Sequence, residues 1–265
     1  MIKAGQLSEV ITMKKIIHLT DTHLGYKDLS SRMKEIITRI IFTKEEADNY
    51  VIVHTGDVVE DATDDGSYEE AVMHFKRLKD AGFHVLVVPG NHDYGSGILA
   101  SKKYVKKFKK AFFGKTKITY PKLDVIGDIA FIGLDSMAEE LNWYDRLSAE
   151  GELGKSQLKR LAKMLAEDEA VQKAAYKVVY LHHHPFHPKP FLHLKDSEEL
   201  GDIIKQHDIS AILFGHNHDG KKWNGKWGVS RVYDGGTSTG KKGKPCPHRV
   251  IDLSKEPVFD YDAEF

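Results

Sequence analysis

Five times along this chain a short apolar run stops abruptly on Asp, Asn or His: "KIIHLTDTH" (15–23), "YVIVHTGD" (50–57), "HVLVVPGNHD" (84–93), "KVVYLHHHP" (177–185) and "ISAILFGHNH" (209–218). Such runs read as strands buried on both faces, and in open α/β sheets a ligand site lies beyond the carboxyl ends of the parallel strands. A fold that runs these strands in parallel therefore gathers all five polar ends in one place.

The segments between the runs support that pairing. Helical patterning follows the first strand over Ser31–Ala47 and the second from Ser67, where Glu70 completes a capping box, to about Ala81. Strand, helix, strand, helix, strand implies parallel pairing through helical crossovers. The middle changes character. A lysine-rich helix over Ser101–Phe113 leads into "LDVIGDIAFIGLDS", where Gly127-Asp128 between apolar runs predicts an antiparallel hairpin and hence a mixed sheet. A further helix is expected over Lys155–Ala166, with Leu158, Leu161 and Leu165 on one face, and strands in "VSRVYDGG", "HRVIDLS" and "PVFDYD". Neither an internal repeat nor a linker divides the chain, so residues 13–265 read as one domain. Residues 1–12, ahead of a second methionine at Met13, read as a disordered extension.

The 39 basic and 39 acidic residues cancel, which excludes the broad positive field of a sequence-independent nucleic-acid binder. The lone cysteine, Cys246, cannot form an internal disulfide, and the N-terminus carries no signal-peptide pattern, so the cytoplasm is the expected compartment. No apolar run approaches the ~20 residues that span a bilayer. Nothing in the sequence dictates an oligomeric state.

Asp21/His23 and His216/His218 are spaced i, i+2, which in extended chain aims both side chains of a pair at one side. With Asp57 and Asn91 they offer carboxylate, imidazole and amide oxygen without thiolate, a set suited to Mn, Fe, Co or Zn rather than to a structural zinc site or a calcium cage. Glycines at 56, 90 and 215, each just before a candidate ligand, permit tight turns and close approach. In the triplet His182-His183-His184, alternation puts His182 and His184 on one side and His183 on the other. All three cannot serve one small site without a sharp bend. The isolated histidines His18, His54, His74, His84, His207 and His248 read as structural.

"DTH" (21–23), "GDVVE" (56–60), "GNHD" (90–93), "HHHP" (182–185) and "GHNH" (215–218), in this order, resemble the calcineurin-like metallophosphoesterase superfamily. The resemblance implies an α/β fold, a four-layer α-β-β-α sandwich of two mixed β-sheets flanked by helices, and a cofactor of two divalent metal ions (Mn, Fe, Zn or Co), with manganese a natural choice. Carried over by position, one ion takes Asp21, His23, Asp57 and His218, and the other Asp57, Asn91, His216 and, two residues before the proline, His183. Asp57 bridges, with both oxygens free. The implied reaction is attack on a phosphate ester by a hydroxide held between the metals, with His92 as general acid, oriented by Asp93.

Protein phosphatases of the superfamily carry Asp-Arg-Gly where this chain has Glu60-Asp61-Ala62, which counts against that branch. The leading expectation is a phosphodiesterase acting on a small diester of cyclic-nucleotide or glycerophosphodiester type. "DTHLGY" also resembles double-strand-break repair nucleases, so DNA is the main competing substrate, with a phosphomonoester next and a non-enzymatic scaffold last. The lysines at 102, 103, 106, 107, 109 and 110 could face DNA, but Tyr104, Val105, Phe108 and Phe112 between them favour a solvated helix face. Substrate contacts are expected from 136–151, with Trp143, Tyr144 and Arg146, and from 186–196, with His187.

Overall fold

A computed structural model describes residues 15–44, 46–96, 100–137, 150–189, 192–241 and 249–255. Strands β1 (Lys15–Leu19), β2 (Tyr50–His54) and β3 (His84–Val87) run parallel, and β10 (Arg249–Ile251) joins the free edge of β1 antiparallel, giving a four-stranded sheet β10-β1-β2-β3. The second sheet has the order β4-β5-β6-β7-β9-β8, from β4 (Lys122–Ile126), β5 (Ile129–Gly133), β6 (Tyr176–Tyr180), β7 (Ala211–Phe214), β8 (Lys222–Trp223) and β9 (Val232–Asp234). Its four inner strands are parallel, and β4 and β8 are antiparallel edges.

Alternation along the strands builds the layers. Ile16, Val51, Val53 and Leu86 of the first sheet meet Phe131, Val178, Tyr180 and Leu213 of the second in a core between the sheets. Their neighbours Ile17, Leu19, Ile52 and Val87 point outward, under helices α1 (Leu29–Thr43), α2 (Asp65–Asp80) and α3 (Lys102–Phe113). On the far side Ile132, Val179, Leu181, Ile212 and Phe214 pack against α4 (Lys155–Glu167) and α6 (Ser197–Ile204) through Leu158, Leu161, Leu165, Leu200 and Ile204. A short α5 (Glu169–Lys173) follows α4. Both strand faces are therefore buried, which is why the runs are continuously apolar, and the expected α-β-β-α sandwich of two mixed sheets is the observed one. Each fully buried Val, Leu or Ile contributes about 1.5–3 kcal/mol; truncating Phe131, at the centre of the inter-sheet core, to alanine is expected to cost about 3–5 kcal/mol.

The Gly127-Asp128 hairpin is present, with Ile126 paired to Ile129. The start of α2 differs from expectation. Its cap is Asp64, whose carboxylate accepts the Gly66 N–H at 2.9 Å, while the Ser67 hydroxyl donates to that same carboxylate. A stronger acceptor three residues upstream thus takes the capping role from Ser67. Helix α1 ends at Thr43 rather than Ala47, where the chain enters a 3₁₀ turn over Ala47–Asn49.

The lysine-rich helix α3 buries Phe108 completely, and two of its cations are used internally: Lys109 Nζ donates to the Ile118 carbonyl and Lys107 Nζ to that of Ala62, both at 2.7 Å. Among the described residues no helix is long and apolar enough to cross a membrane. The N-terminal extension with Met13, Trp143, Tyr144, Arg146, Cys246, His248 and the strand expected in "PVFDYD" lie outside the described residues.

Candidate metal centre

The five polar strand ends converge, and the backbone that delivers them is strained. Asp21 (φ 49°), His23 (45°), Asp57 (53°), His216 (79°) and His218 (59°) all occupy the left-handed region, which disfavours residues with a Cβ. Asp21/His23 and His216/His218 therefore share a side because each residue is turned left-handed, not because the chain is extended there. Such strain costs about 1–3 kcal/mol per residue and persists only where surrounding structure imposes it.

The restraints are visible. Asp21 N–H and His23 N–H donate to the carbonyls of Gly56 and Asp57, each at 3.0 Å, tying the first loop to the second. From behind, Thr237 and Thr239 hydroxyls donate to the carbonyls of Asp21 and Thr22 at 2.8 and 3.0 Å, and Ser238 N–H donates to that of Thr20. Two glycines allow the loops to close: a Cβ on Gly215 would stand 2.2 Å from Asp21 Oδ2, and one on Gly90 2.2 Å from Asp57 Oδ1.

The donor atoms fall into two adjoining groups. In the first, His218 Nε2 lies 3.1 Å from both Asp21 Oδ1 and His23 Nε2, with His23 Nε2 3.8 Å from Asp57 Oδ2. In the second, His182 Nε2 lies 3.1 Å from Asn91 Oδ1, 3.2 Å from His216 Nδ1 and 3.4 Å from Asp57 Oδ2. Imidazole nitrogens facing each other at this distance around carboxylate oxygens are what a shared cation needs, and this thiolate-free set fits two borderline divalent ions. The electrostatics agree. Burial alone would depress His182, yet the Asp57 carboxylate pushes it up to about 9, whereas burial and then the His182 charge pull His216 down to about 3. The pocket favours one positive charge beside Asp57 and resists a second on the next ring.

Each aspartate keeps one oxygen on the backbone and turns the other inward. Asp21 Oδ2 accepts His216 N–H at 3.0 Å and Asp57 Oδ1 accepts His92 N–H at 2.9 Å. Only Oδ2 of Asp57 faces both groups, so the expectation of two free bridging oxygens is corrected to one.

The triplet also departs from expectation. Strand β6 ends at Tyr180, so period-two alternation has stopped before the histidines begin. His182 is the residue against Asp57 and Asn91. His183 Nδ1 lies 2.7 Å from Ser136 Oγ, with its ring across the backbone of Gly151, and a nitrogen of that ring lies within 4.8 Å of donor atoms of His182 and His216, so His183 stands beside the second group. His184 points elsewhere, edge-on to Phe214 and Trp223, its Nδ1 accepting the Phe186 N–H. His187 is part-exposed, its ring 5.6 Å from that of His184.

His92 sits at the rim of the first group, edge-on to His23 with ring centroids 4.8 Å apart. Its Nδ1 donates to the Glu60 carbonyl at 2.6 Å, which fixes the orientation of the ring. Asp93 does not orient it. The buried Asp93 carboxylate instead accepts the N–H groups of Val58, Val59 and Gly90 at 2.9–3.3 Å, clamping the Asp57 loop to the Asn91 loop. Two residues to which the sequence assigned no part in the metal centre also belong here. Glu60 Oε2 lies 2.9 Å from His23 Nδ1 and accepts from Lys241 Nζ. Burial would raise Glu60, but these two partners hold it down at about 2.

The model of the calcineurin-like phosphoesterase family matches residues 14–220. The chain is 26% identical over 226 residues, 80% of this chain and 73% of the other, to the 3',5'-cyclic adenosine monophosphate phosphodiesterase CpdA of Haemophilus influenzae. It is 25% identical over 261 residues to the DNA double-strand break repair protein Mre11 of Haloferax volcanii, covering 93% of this chain and 51% of that protein, so it spans about half of that relative's length. A dimetal phosphatase from Danio rerio superposes with a TM-score of 0.63 at 14% identity, over 84% of this chain and 87% of that one, which shows a common fold. With the family model spanning all five polar strand ends, the chain belongs to the calcineurin-like phosphoesterases, a family of metal-dependent phosphoesterases.

Proposed function

We propose that this protein is a two-metal phosphodiesterase acting on small phosphodiesters. The observation that supports the reading is Asp57 Oδ2, an inward-turned oxygen 3.8 Å from His23 Nε2 and 3.4 Å from His182 Nε2, which would serve both groups of ligands. Asp21, His23, Asp57 and His218 would hold one ion, and Asp57, Asn91, His182 and His216 the other, with His182 taking the place expected of His183. When bound, the two ions supply Lewis acidity at phosphorus and a water acidified enough to act as nucleophile near neutral pH.

The chain's own residues do the rest. Asp57 and Asp21, each pinned through one oxygen, hold the donor array rigid, so little reorganisation accompanies charge build-up on the phosphate. His92, anchored at its backbone N–H and at Nδ1, delivers a proton from Nε2 to the departing oxygen. Asp93 keeps the two loops in register and acts only through them.

The diester preference is supported by relatives named as cyclic nucleotide phosphodiesterases, from Haemophilus influenzae and Rhodococcus erythropolis among others. It is supported too by Glu60-Asp61-Ala62, which offers no arginine to grip a doubly charged monoester. A DNA-nuclease reading draws on the Mre11 relatives. The internal use of Lys107 and Lys109 shortens the basic strip on which it would rely.

The test is hydrolysis of a chromogenic phosphodiester beside its monoester by Mn²⁺-loaded protein, with His92→Ala and Asp57→Asn as controls. Diester turnover lost in both variants is expected. Monoester-only turnover would move the reading to a phosphatase, and cleavage of DNA alone would move it to a nuclease.

A further inference from the structure

Behind the first group of ligands the chain makes a turn that the metal chemistry above does not use. After β9, residues 237–239 lie along Thr20–Thr22: Ser238 exchanges hydrogen bonds with Thr20, and the hydroxyls of Thr237 and Thr239 take the carbonyls of Asp21 and Thr22. All three side chains are buried. A strap so firmly tied delivers the next side chain to a fixed place, and that side chain is Lys241.

Lys241 Nζ donates to Glu60 Oε2, stands 3.2 Å from His23 Nδ1 and lies 5.2 Å from the centroid of Tyr26. The Lys241 side chain is only 9% exposed and that of Glu60 26%, so water screens the pair weakly. The same Glu60 oxygen accepts from His23 Nδ1, whose other nitrogen faces Asp21, Asp57 and His218. A carboxylate behind a ligating imidazole raises the donor strength of the ring. A cation on that carboxylate lowers it again, and adds a positive charge one imidazole away from the ligand cluster.

We propose that Lys241 is a positioning residue that acts through Glu60 on His23, restraining the donor strength of that ring and keeping an ion at the Asp21/His23/His218 group weakly held and electron-poor. This inference rests on the two-metal reading above. Two consequences distinguish it from a purely structural lysine. Without the Lys241 charge the group carries Asp21, Asp57 and an uncompensated Glu60, so it attracts a dication more strongly, while the metal-free fold loses a partly buried ion pair and is weakened. With Glu60 neutralised and Lys241 retained, a cation stands beside the site unopposed, so binding suffers more than from losing both.

The experiment is calorimetric titration of Mn²⁺ into metal-free full-length wild type, Lys241→Met, Lys241→Arg, Glu60→Gln and the double variant, with the melting temperature of each metal-free protein. Lys241→Met is expected to bind one of its two ions about 10-fold more tightly while its metal-free form melts lower. Glu60→Gln should weaken that ion about 10–100-fold, the double variant should recover part of the loss, and Lys241→Arg should resemble wild type. Weaker binding by Lys241→Met, in step with its lower melting temperature, would mean that Lys241 merely props up the strap and would overturn the inference. A wild type that takes up no ion would remove the two-metal reading itself, and the inference with it.

Discussion

Nε2 of His182 lies 3.4 Å from Oδ2 of Asp57, while the next residue, His183, turns its Nδ1 to the hydroxyl of Ser136 at 2.7 Å. The two neighbours thus have different partners, and their substitutions should separate. His182→Ala is expected to lose one of two bound ions, with a drop in affinity exceeding the ~10–100-fold typical of an outer-shell partner. His183→Ala should retain both. Metal content after exhaustive buffer exchange reads the difference; loss of an ion from His183→Ala alone would reverse the assignment.

Gly215 offers a steric test of how closely the loops approach. Gly215→Ala would place a methyl group 2.2 Å from Asp21 Oδ2 and 2.1 Å from Thr20 Oγ1, so the variant should lose metal as well as stability. Gly225→Ala is the control for added bulk: open space surrounds it, and only its left-handed backbone, φ 85°, a strain that Gly215 lacks, resists the change. It should cost about 1–2 kcal/mol of stability and leave metal content intact.

Asp93 is expected to matter for stability more than for proton transfer. Three backbone N–H groups converge on its carboxylate, and an asparagine could accept on one atom only, turning an NH₂ toward the remaining donors. Asp93→Asn should lower the urea midpoint by an amount corresponding to about 1–3 kcal/mol, with an unchanged denaturant slope. An unchanged midpoint with a displaced pH profile of turnover would instead make Asp93 a partner of His92.

Acid should weaken the fold through histidines buried neutral. His54 accepts the Gly56 N–H at Nδ1 and faces the Thr22 hydroxyl with Nε2, and burial pulls it from 6.5 down to about 3. His184, sunk among aromatic rings, is likewise pulled by burial to about 3. In the unfolded chain both take up a proton below 6.5, while in the folded protein they stay neutral until about 3. Their contribution is therefore complete above pH 6.5 and is lost as the pH falls from there toward 3, by up to about 1.4 kcal/mol per pH unit for each residue. Urea midpoints of the metal-free protein should be lower at pH 5 than at pH 7, and His184→Phe should flatten the trend. Equal midpoints at both pH values in the wild type would contradict this reading.

The strands and their convergence were legible because both faces of each strand are buried: a continuous apolar run can end only where the chain leaves the sheet, and there Asp21, Asp57, Asn91 and His216 stand. The choice within the triplet was not legible. It depends on β6 stopping at Tyr180, after which Leu181 and His182 no longer follow a strand's alternation. The role given to Asp93 failed for a similar reason, since proximity in sequence to His92 suggested a contact that the loop geometry gives instead to the Val58, Val59 and Gly90 amides. Glu60 and Lys241, 181 positions apart, meet only through the strap. The one local signal for it was the small, glycine-flanked "DGGTSTGKK" directly after an apolar strand, a pattern suited to close backbone approach.

The most direct test of the two-metal account is the rate of phosphodiester hydrolysis against equivalents of Mn²⁺ added to the metal-free protein. The account requires turnover to rise until two equivalents per chain are bound and to be lost in Asp57→Asn, whose bridging oxygen is compromised. Full turnover at one equivalent, or undiminished turnover in Asp57→Asn, would contradict it.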